Sequence, residues 1–165
     1  MKSFVCVVLC LVVAASASTQ MQAAVNDLAA AGQTLRNTVL AANVQNPAIK
    51  SVLAQISADA DAFIAIAQRD TAKPCPLDAM MQNDLLASFG SLTSMLGELN
   101  SGVQNAGNIP VVKDALTRFI MNGNPVLNNI QNVLASIPDG SAAEAVDAIR
   151  KVQSDLASLQ VAAQL

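Results

Sequence analysis

The chain has 165 residues, 53% hydrophobic, 13% charged and 2% aromatic, with a formal net charge of -3, which is room for one domain. It contains no His, Trp or Tyr, which removes Ser-His-Asp and Cys-His catalysis, His-ligated metals and aromatic platforms for stacking bases. Its 9 basic residues are scattered along an acidic chain and do not form the Lys/Arg cluster that phosphate neutralisation requires, so no nucleic-acid partner is expected.

From the amino end, Lys2, the apolar run Phe4 to Ala15 and the small-residue exit Ala15-Ser16-Ala17 read as a secretory signal peptide, residues 1–17, cleaved after Ala17. The apolar run spans about a dozen residues, short of the roughly 20 that cross a bilayer, and no basic flank follows it, so no transmembrane anchor is expected. Cleavage removes Cys6 and Cys10 and leaves Cys75. An internal disulfide is then out of reach, and the exported domain, residues 18–165, rests on burial for its stability. Cys75 lies between Pro74 and Pro76 and reads as an unpaired linker or capping thiol, with an intermolecular bridge as the alternative. No Asn-x-Ser/Thr sequon occurs, so N-glycosylation is not expected.

The spacing predicts a first helix from about Gln20 to Val44, with Val25, Leu28, Leu35, Val39 and Ala42 near one face. Asn46-Pro47 opens a second, because Asn accepts from an orphan amide and Pro at the first helical position loses no bond. Ile49, Leu53, Ile56, Ala60, Phe63 and Ala67 follow as its core stripe. After Lys73-Pro74-Cys75-Pro76, a long third helix carries Leu77, Met81, Leu85, Phe89, Leu92, Leu96, Leu99 and Val103, and Gly107 ends it. The fourth begins near Pro110 with Val112, Leu116, Phe119 and Ile120, is expected to break at Asn122-Gly123-Asn124-Pro125, and resumes with Leu127, Ile130, Leu134 and Ile137. Pro138-Asp139-Gly140 closes it. Ser141-Ala142-Ala143-Glu144 has the form of a capping box, and Ala145, Ile149, Val152, Leu156 and Leu159 build the last helix. Strand signals are absent. The expected fold is all-α, an antiparallel bundle of about five amphipathic helices.

Catalytic chemistry finds little support. Asp59 and Asp61 sit about 200° apart around a helix and do not converge on one ion; solvated side chains are the plainer reading. The Ser residues lack a His, and neither Lys113 nor Lys151 stands in a nucleophile motif. No metal, cofactor or catalytic residue is expected. Met80, Met81, Met95 and Met121 carry flexible thioethers that suit either core filling or an irregular apolar ligand. Phe63, Phe89 and Phe119 fall on three helices at core positions, where they either line a shared cavity or fill it. Core periodicity nominates Phe63, Met81, Phe89, Leu92, Leu116, Phe119, Ile130 and Ile149 as ligand-binding residues. Away from the stripes, Ala, Ser, Asn and Gln outnumber charged residues, whereas soluble domains carry about a quarter charged. Weak hydration lowers the cost of turning helices toward an oil, lipid or solid apolar surface; close packing of an Ala-rich bundle explains the same composition.

The segment Val133-Leu134-Ala135-Ser136-Ile137-Pro138-Asp139-Gly140, running into Ala145-Val146-Asp147-Ala148-Ile149 and Leu156, resembles the last helix pair of the fungal hydrophobic surface-binding protein A family, also called cell-wall mannoprotein-like. Pro76-Leu77-Asp78 and the long third helix extend the likeness by pattern. The resemblance implies adsorption to hydrophobic surfaces or binding of fatty-acid-like ligands in a helical cavity. A Ser/Thr-rich tail is lacking, which leaves cell-wall attachment unsupported. The expected function is that of a secreted, non-enzymatic protein that binds apolar small molecules or lipids, or adsorbs to hydrophobic surfaces. The alternative is a secreted structural or protein-interaction module, open to homo-oligomer formation through an exposed stripe or Cys75.

Overall fold

Local chemistry sets most helix ends. The computed structural model describes residues 2–42, 44, 46–71, 77–137 and 140–163, with side chains from Thr19 onward apart from those of residues 71 and 109. The Cys75 thiol, Pro74, Pro76, Pro138 and Asp139 lie outside the described residues. Five helices result: α1 (Lys2–Ala41), α2 (Pro47–Thr71), α3 (Ala79–Gln104), α4 (Ile109–Ala135) and α5 (Ala143–Ala162). Among the described residues there is no strand, and no helix is long and apolar enough to cross a membrane.

Asn46 caps α2 as expected, its Oδ1 accepting from the amides of Ala48 and Ile49 at 3.0 and 3.2 Å. Asp78 does the same for α3 through the Met81 amide at 2.8 Å, satisfying a donor that the first turn leaves orphaned. Asn108 caps α4. Two expectations fail. The expected capping box is not what starts α5: its N-cap is Ala142, whose methyl side chain offers no cap bond, and Glu144 lies 2.9 Å from Arg69 of α2. Gly140, at φ +67, turns the chain into α5 through a conformation that a side chain would strain.

The predicted break at Asn122-Gly123-Asn124-Pro125 is also absent, and α4 runs through it as one helix of 27 residues with Pro125 inside. The buried stripe explains why. Val112, Leu116, Phe119, Ile120, Leu127, Ile130 and Val133 all lie in the core, and Gly123 joins them by facing Leu156 of α5, so the inward face stays in register only if the helix continues. Pro125 sits on the outer face. The carbonyl it deprives of a partner belongs to Met121, 69% exposed, a site open to solvent, which offers a donor in place of the lost one.

The helices close into a ring in the order α1, α2, α5, α4, α3 and back to α1, the backbone of each packing beside those of two others. Hydrogen bonds and packing pairs fix the directions. Ser136 reaches Met81 and Asn129 reaches Ser88, while Gly102 abuts Ala115, which is antiparallel pairing of α3 with α4. Arg36–Asp61 and Gln68–Asn26 give the same for α1 and α2, as does Gln153–Asn128 with Gly123–Leu156 for α4 and α5. An odd ring cannot alternate throughout, and α1 and α3 are the neighbours that run parallel.

The interior is filled by the predicted stripes. Leu35, Leu53, Ile56, Leu99, Leu116, Ile130, Ile149, Leu156 and Leu159 are each under 2% exposed, and burial of such a side chain stabilises by about 1.5–3 kcal/mol. Leu77, Met81 and Leu134 are only partly buried at the stripe ends, while Ile64, Met95, Val133, Val146 and Ala148 enter the core beside the predicted positions. Phe63 of α2 and Phe89 of α3 meet across the ring with centroids 6.1 Å apart and planes tilted by 58°, an edge-on approach that suits the quadrupoles of both rings. In α1 the described buried stripe begins at Met21 and continues through Val25, Leu28, Leu35 and Val39.

Candidate apolar cavity at one end of the bundle

Two chain reversals and one helix end converge at one end of the ring: the close of α1 with the start of α2, the α3–α4 turn, and the close of α5. The turn is tight, with the Asn105 amide donating to Gly102 O at 3.1 Å and the Asn108 amide to Asn105 O at 2.8 Å. Gly102 lets α3 and α4 approach so closely that a Cβ there would collide with Ala115 Cβ, and this sets Ala106 beside the first turns of α4. Ala106 and Ala163 are small. Where larger residues would plug the end of the bundle, they leave a cavity of about 450 Å³, partly open to solvent, lined by Val44, Asn46, Ile49, Ala106, Val112, Lys113, Leu116 and Ala163. Its size falls in the range of ordinary small-molecule sites, about 300–1,000 Å³.

Of the eight nominated residues, Leu116 lines this cavity. Phe63, Phe89, Leu92, Phe119, Ile130 and Ile149 are buried in the core of the ring, and Met81 is half-buried near its other end, with its sulfur 3.8 Å from Ser136 Oγ. Seven of the eight thus share one continuous core with Met81 packed against it, and Leu116 is the one that also reaches the cavity wall. The methionines divide: Met95 is core, whereas Met80 and Met121 are 75% and 69% exposed.

The remaining lining residues were not expected to bind a ligand: Ile49 and Val112 were read as core stripe and Asn46 as a cap, Lys113 stood in no motif, Val44 and Ala106 stand in connections and Ala163 follows the last helical turn. Periodicity marks helix faces and says nothing about helix ends; small residues next to a cap were the only available signal. Three large apolar side chains, Leu40, Val111 and Val161, are exposed on the last turns of α1 and α5 and the first turn of α4, so this end of the bundle presents apolar surface to water.

Asp59 and Asp61 diverge, as their spacing requires. Asp61 pairs with Arg36 of α1 at 2.8 Å. Asp59 accepts from Gln55 Nε2 at 2.9 Å and faces Asp155 of α5. Asp155 Oδ2 is buried and, among the described residues, has no hydrogen-bond partner. Burial, then a hydrogen bond to Asp59 that only a protonated Asp155 can donate, and last the like charge of Asp59 push Asp155 up to about 6. Among the described residues no group of three or more His, Cys, Asp or Glu is placed to hold a metal ion.

The other ion pairs, Arg69–Glu144, Arg118–Asp114 and Arg150–Asp147, are exposed and contribute about 0–1 kcal/mol each; they orient the seams without defining a site. The chain matches no protein-family model, no curated protein and no solved structure.

Proposed function

We propose that this is a secreted, non-enzymatic protein that takes up an apolar, lipid-like molecule at the open end of its helical ring. The observation that carries the reading is the 450 Å³ cavity with its predominantly aliphatic wall. At about 30 Å³ per unit, the share that a water molecule takes in the liquid, the space accepts a chain of roughly a dozen carbons. Burying that chain at about 0.8 kcal/mol per methylene is worth about 10 kcal/mol gross. Association costs at least about 4 kcal/mol, which leaves a Kd on the order of tens of micromolar.

The test is a thermal titration of the exported form with 1-dodecanol. At tenfold excess over Kd the ligand adds about 1.4 kcal/mol by mass action, a Tm rise of about 3–6 °C for a domain of this size. The reading fails if Tm does not move and hydrophobic beads do not deplete the protein from solution. Export is tested separately: N-terminal sequencing of protein recovered from the medium should begin at Ser18, whereas retention of Lys2 would remove the signal-peptide assignment.

A second reading draws on the exposed trio Leu40, Val111 and Val161. An end of this kind also suits adsorption to an apolar surface or a contact with another copy of the chain, in keeping with the hydrophobic surface-binding resemblance. Light scattering behind size exclusion, with and without reductant, separates these: a stable dimer favours the interaction module.

A further inference from the structure

The cavity wall includes the start of α2, through Asn46 and Ile49, and the close of α5, through Ala163, so the cavity borders one end of the α2·α5 seam. Three points fix that antiparallel seam. At the far end Arg69 holds Glu144 at 2.9 Å, in the middle Asp59 faces Asp155, and at the near end Ile49 and Ala163 share the cavity wall. Successive points lie about ten residues apart along each helix, or about 15 Å. One end is held by opposite charges and the other borders a void. Between them stand two carboxyls whose ionisation decides whether they attract or repel.

The surroundings leave that decision to one proton. Gln55 Nε2 ties Asp59 Oδ2 within its own helix at 2.9 Å, and Asp155 Oδ2 is buried without a hydrogen-bond partner among the described residues. A proton on Asp155 makes it a donor to Asp59; loss of that proton sets two negative charges against each other. No cation is placed to offset them. On α2, Asp61 turns to Arg36 of α1, Arg69 is taken by Asp70 and Glu144, and Lys50 is exposed in the first turn. Asp27 of α1 is exposed beside the Asn26–Gln68 bond. On α5, Asp147 and Arg150 pair with each other, and Lys151 is exposed and enters no ion pair among the described residues. The other helix beside α5 is α4, which meets it through Asn128–Gln153 and Gly123–Leu156; its charged Lys113, Asp114 and Arg118 lie in its first turns. We propose that the Asp59–Asp155 pair is a proton-operated latch on the cavity: protonated, it holds the start of α2 to the close of α5, and ionised, it lets that end of the seam part about the Arg69–Glu144 end. This inference rests on the uptake reading above and adds its regulation. Burial, the hydrogen bond to Asp59 and the Asp59 charge lift Asp155 from 3.8 to about 6 only while the seam is closed. Opening is therefore suppressed below the ordinary value, grows as pH rises toward 6 and levels off above.

The experiment follows amide hydrogen exchange by mass spectrometry in the exported form of wild type, Asp155→Asn and Asp59→Asn between pH 4 and 7. Either asparagine keeps the side-chain shape and supplies an amide donor in place of the proton, so both variants should stay latched at every pH. The ratio of wild-type to variant rates cancels the intrinsic pH dependence of exchange and reports local opening. It should be lowest at pH 4 and about tenfold higher at pH 7, in residues 51–59 and 155–162 alone. The span from 3.8 to about 6 caps the change at about a hundredfold, and solvent screening of a partly exposed pair reduces it. A ratio that stays flat overturns the latch, and so does one that rises equally in α3 and α4, which is only a less stable protein. Uptake of 1-dodecanol, which has no titrating group in this range, should be faster at pH 7 than at pH 4 in wild type and equal at both in Asp155→Asn; equal rates in wild type overturn the latch as a gate. Dodecanol that binds at neither pH overturns the uptake reading, and the exchange ratio then decides the latch by itself.

Discussion

Gly102→Ala opposes two effects of known size on one residue. Alanine is the better helix former by up to about 1 kcal/mol, and Gly102 lies inside α3, so propensity alone predicts a more stable protein. The added Cβ, however, would fall on Ala115 Cβ of α4. That atom is fixed to the helix backbone and has no rotamer to retreat into, so α3 and α4 must part. Overpacking of this kind costs about 1–3 kcal/mol, and here it also loosens Leu99, Val103 and Leu116, which are buried around the contact. The net expectation is a loss of about 1–2 kcal/mol, a Tm lower by about 2–8 °C, read by urea denaturation with circular dichroism at unchanged m. Gly90 and Gly97 on the same helix have open space where a Cβ would stand, and Gly→Ala there should stabilise. The double variant Gly102→Ala with Ala115→Gly moves the methyl across the seam and should return close to wild type, a coupling of about 1–3 kcal/mol. If Gly102→Ala gains stability as Gly97→Ala does, the close approach that shapes the cavity end is wrong.

Asp155 predicts a pH dependence. Because its folded value is raised from 3.8 to about 6, the folded state keeps a proton that the unfolded chain releases; the stability this provides is complete below the unfolded value and is lost as pH rises through the folded one. Tm should therefore fall between about pH 4 and 6 and level off above, and Asp155→Asn should raise Tm at neutral pH and flatten that slope; an unchanged slope refutes the Asp59–Asp155 contact. Pro125→Ala restores an amide that Met121 O can accept, and since an interior proline costs a helix about 3 kcal/mol, part of which water at this exposed site already offsets, the variant should gain about 1–2 kcal/mol in chemical denaturation. A loss there would mean that α4 requires the proline.

The stripes were legible because a buried face repeats every three to four residues whatever the partner. Leu53, Ile56, Phe63, Ile149 and Leu156 could be placed indoors without knowing which helix they meet. The Asn46 cap was legible because it needs only local groups. Misreadings arose where the helix frame was set by packing rather than by local chemistry: α5 starts at Ala142 instead of Ser141, and Asn122 to Pro125 stays helical with Gly123 packed against Leu156. The Asp59–Asp155 pair and the cavity depend on which helices become neighbours, and residue spacing carries no information on ring order beyond chain-adjacent helices.

That order has a kinetic corollary. Three of the ring's seams join helices consecutive in the chain, whereas α1·α3 and α2·α5 do not. The α1–α2 hairpin and the α3–α4–α5 row are thus two separately wound pieces, connected covalently only between Thr71 and Ala79 and clasped along both distant seams at once. Refolding must wait for that clasp, at a rate below that of a simple up-and-down meander whose contacts are all local, and when the clasp parts, the rings of Phe63 and Phe89 leave each other with the two pieces.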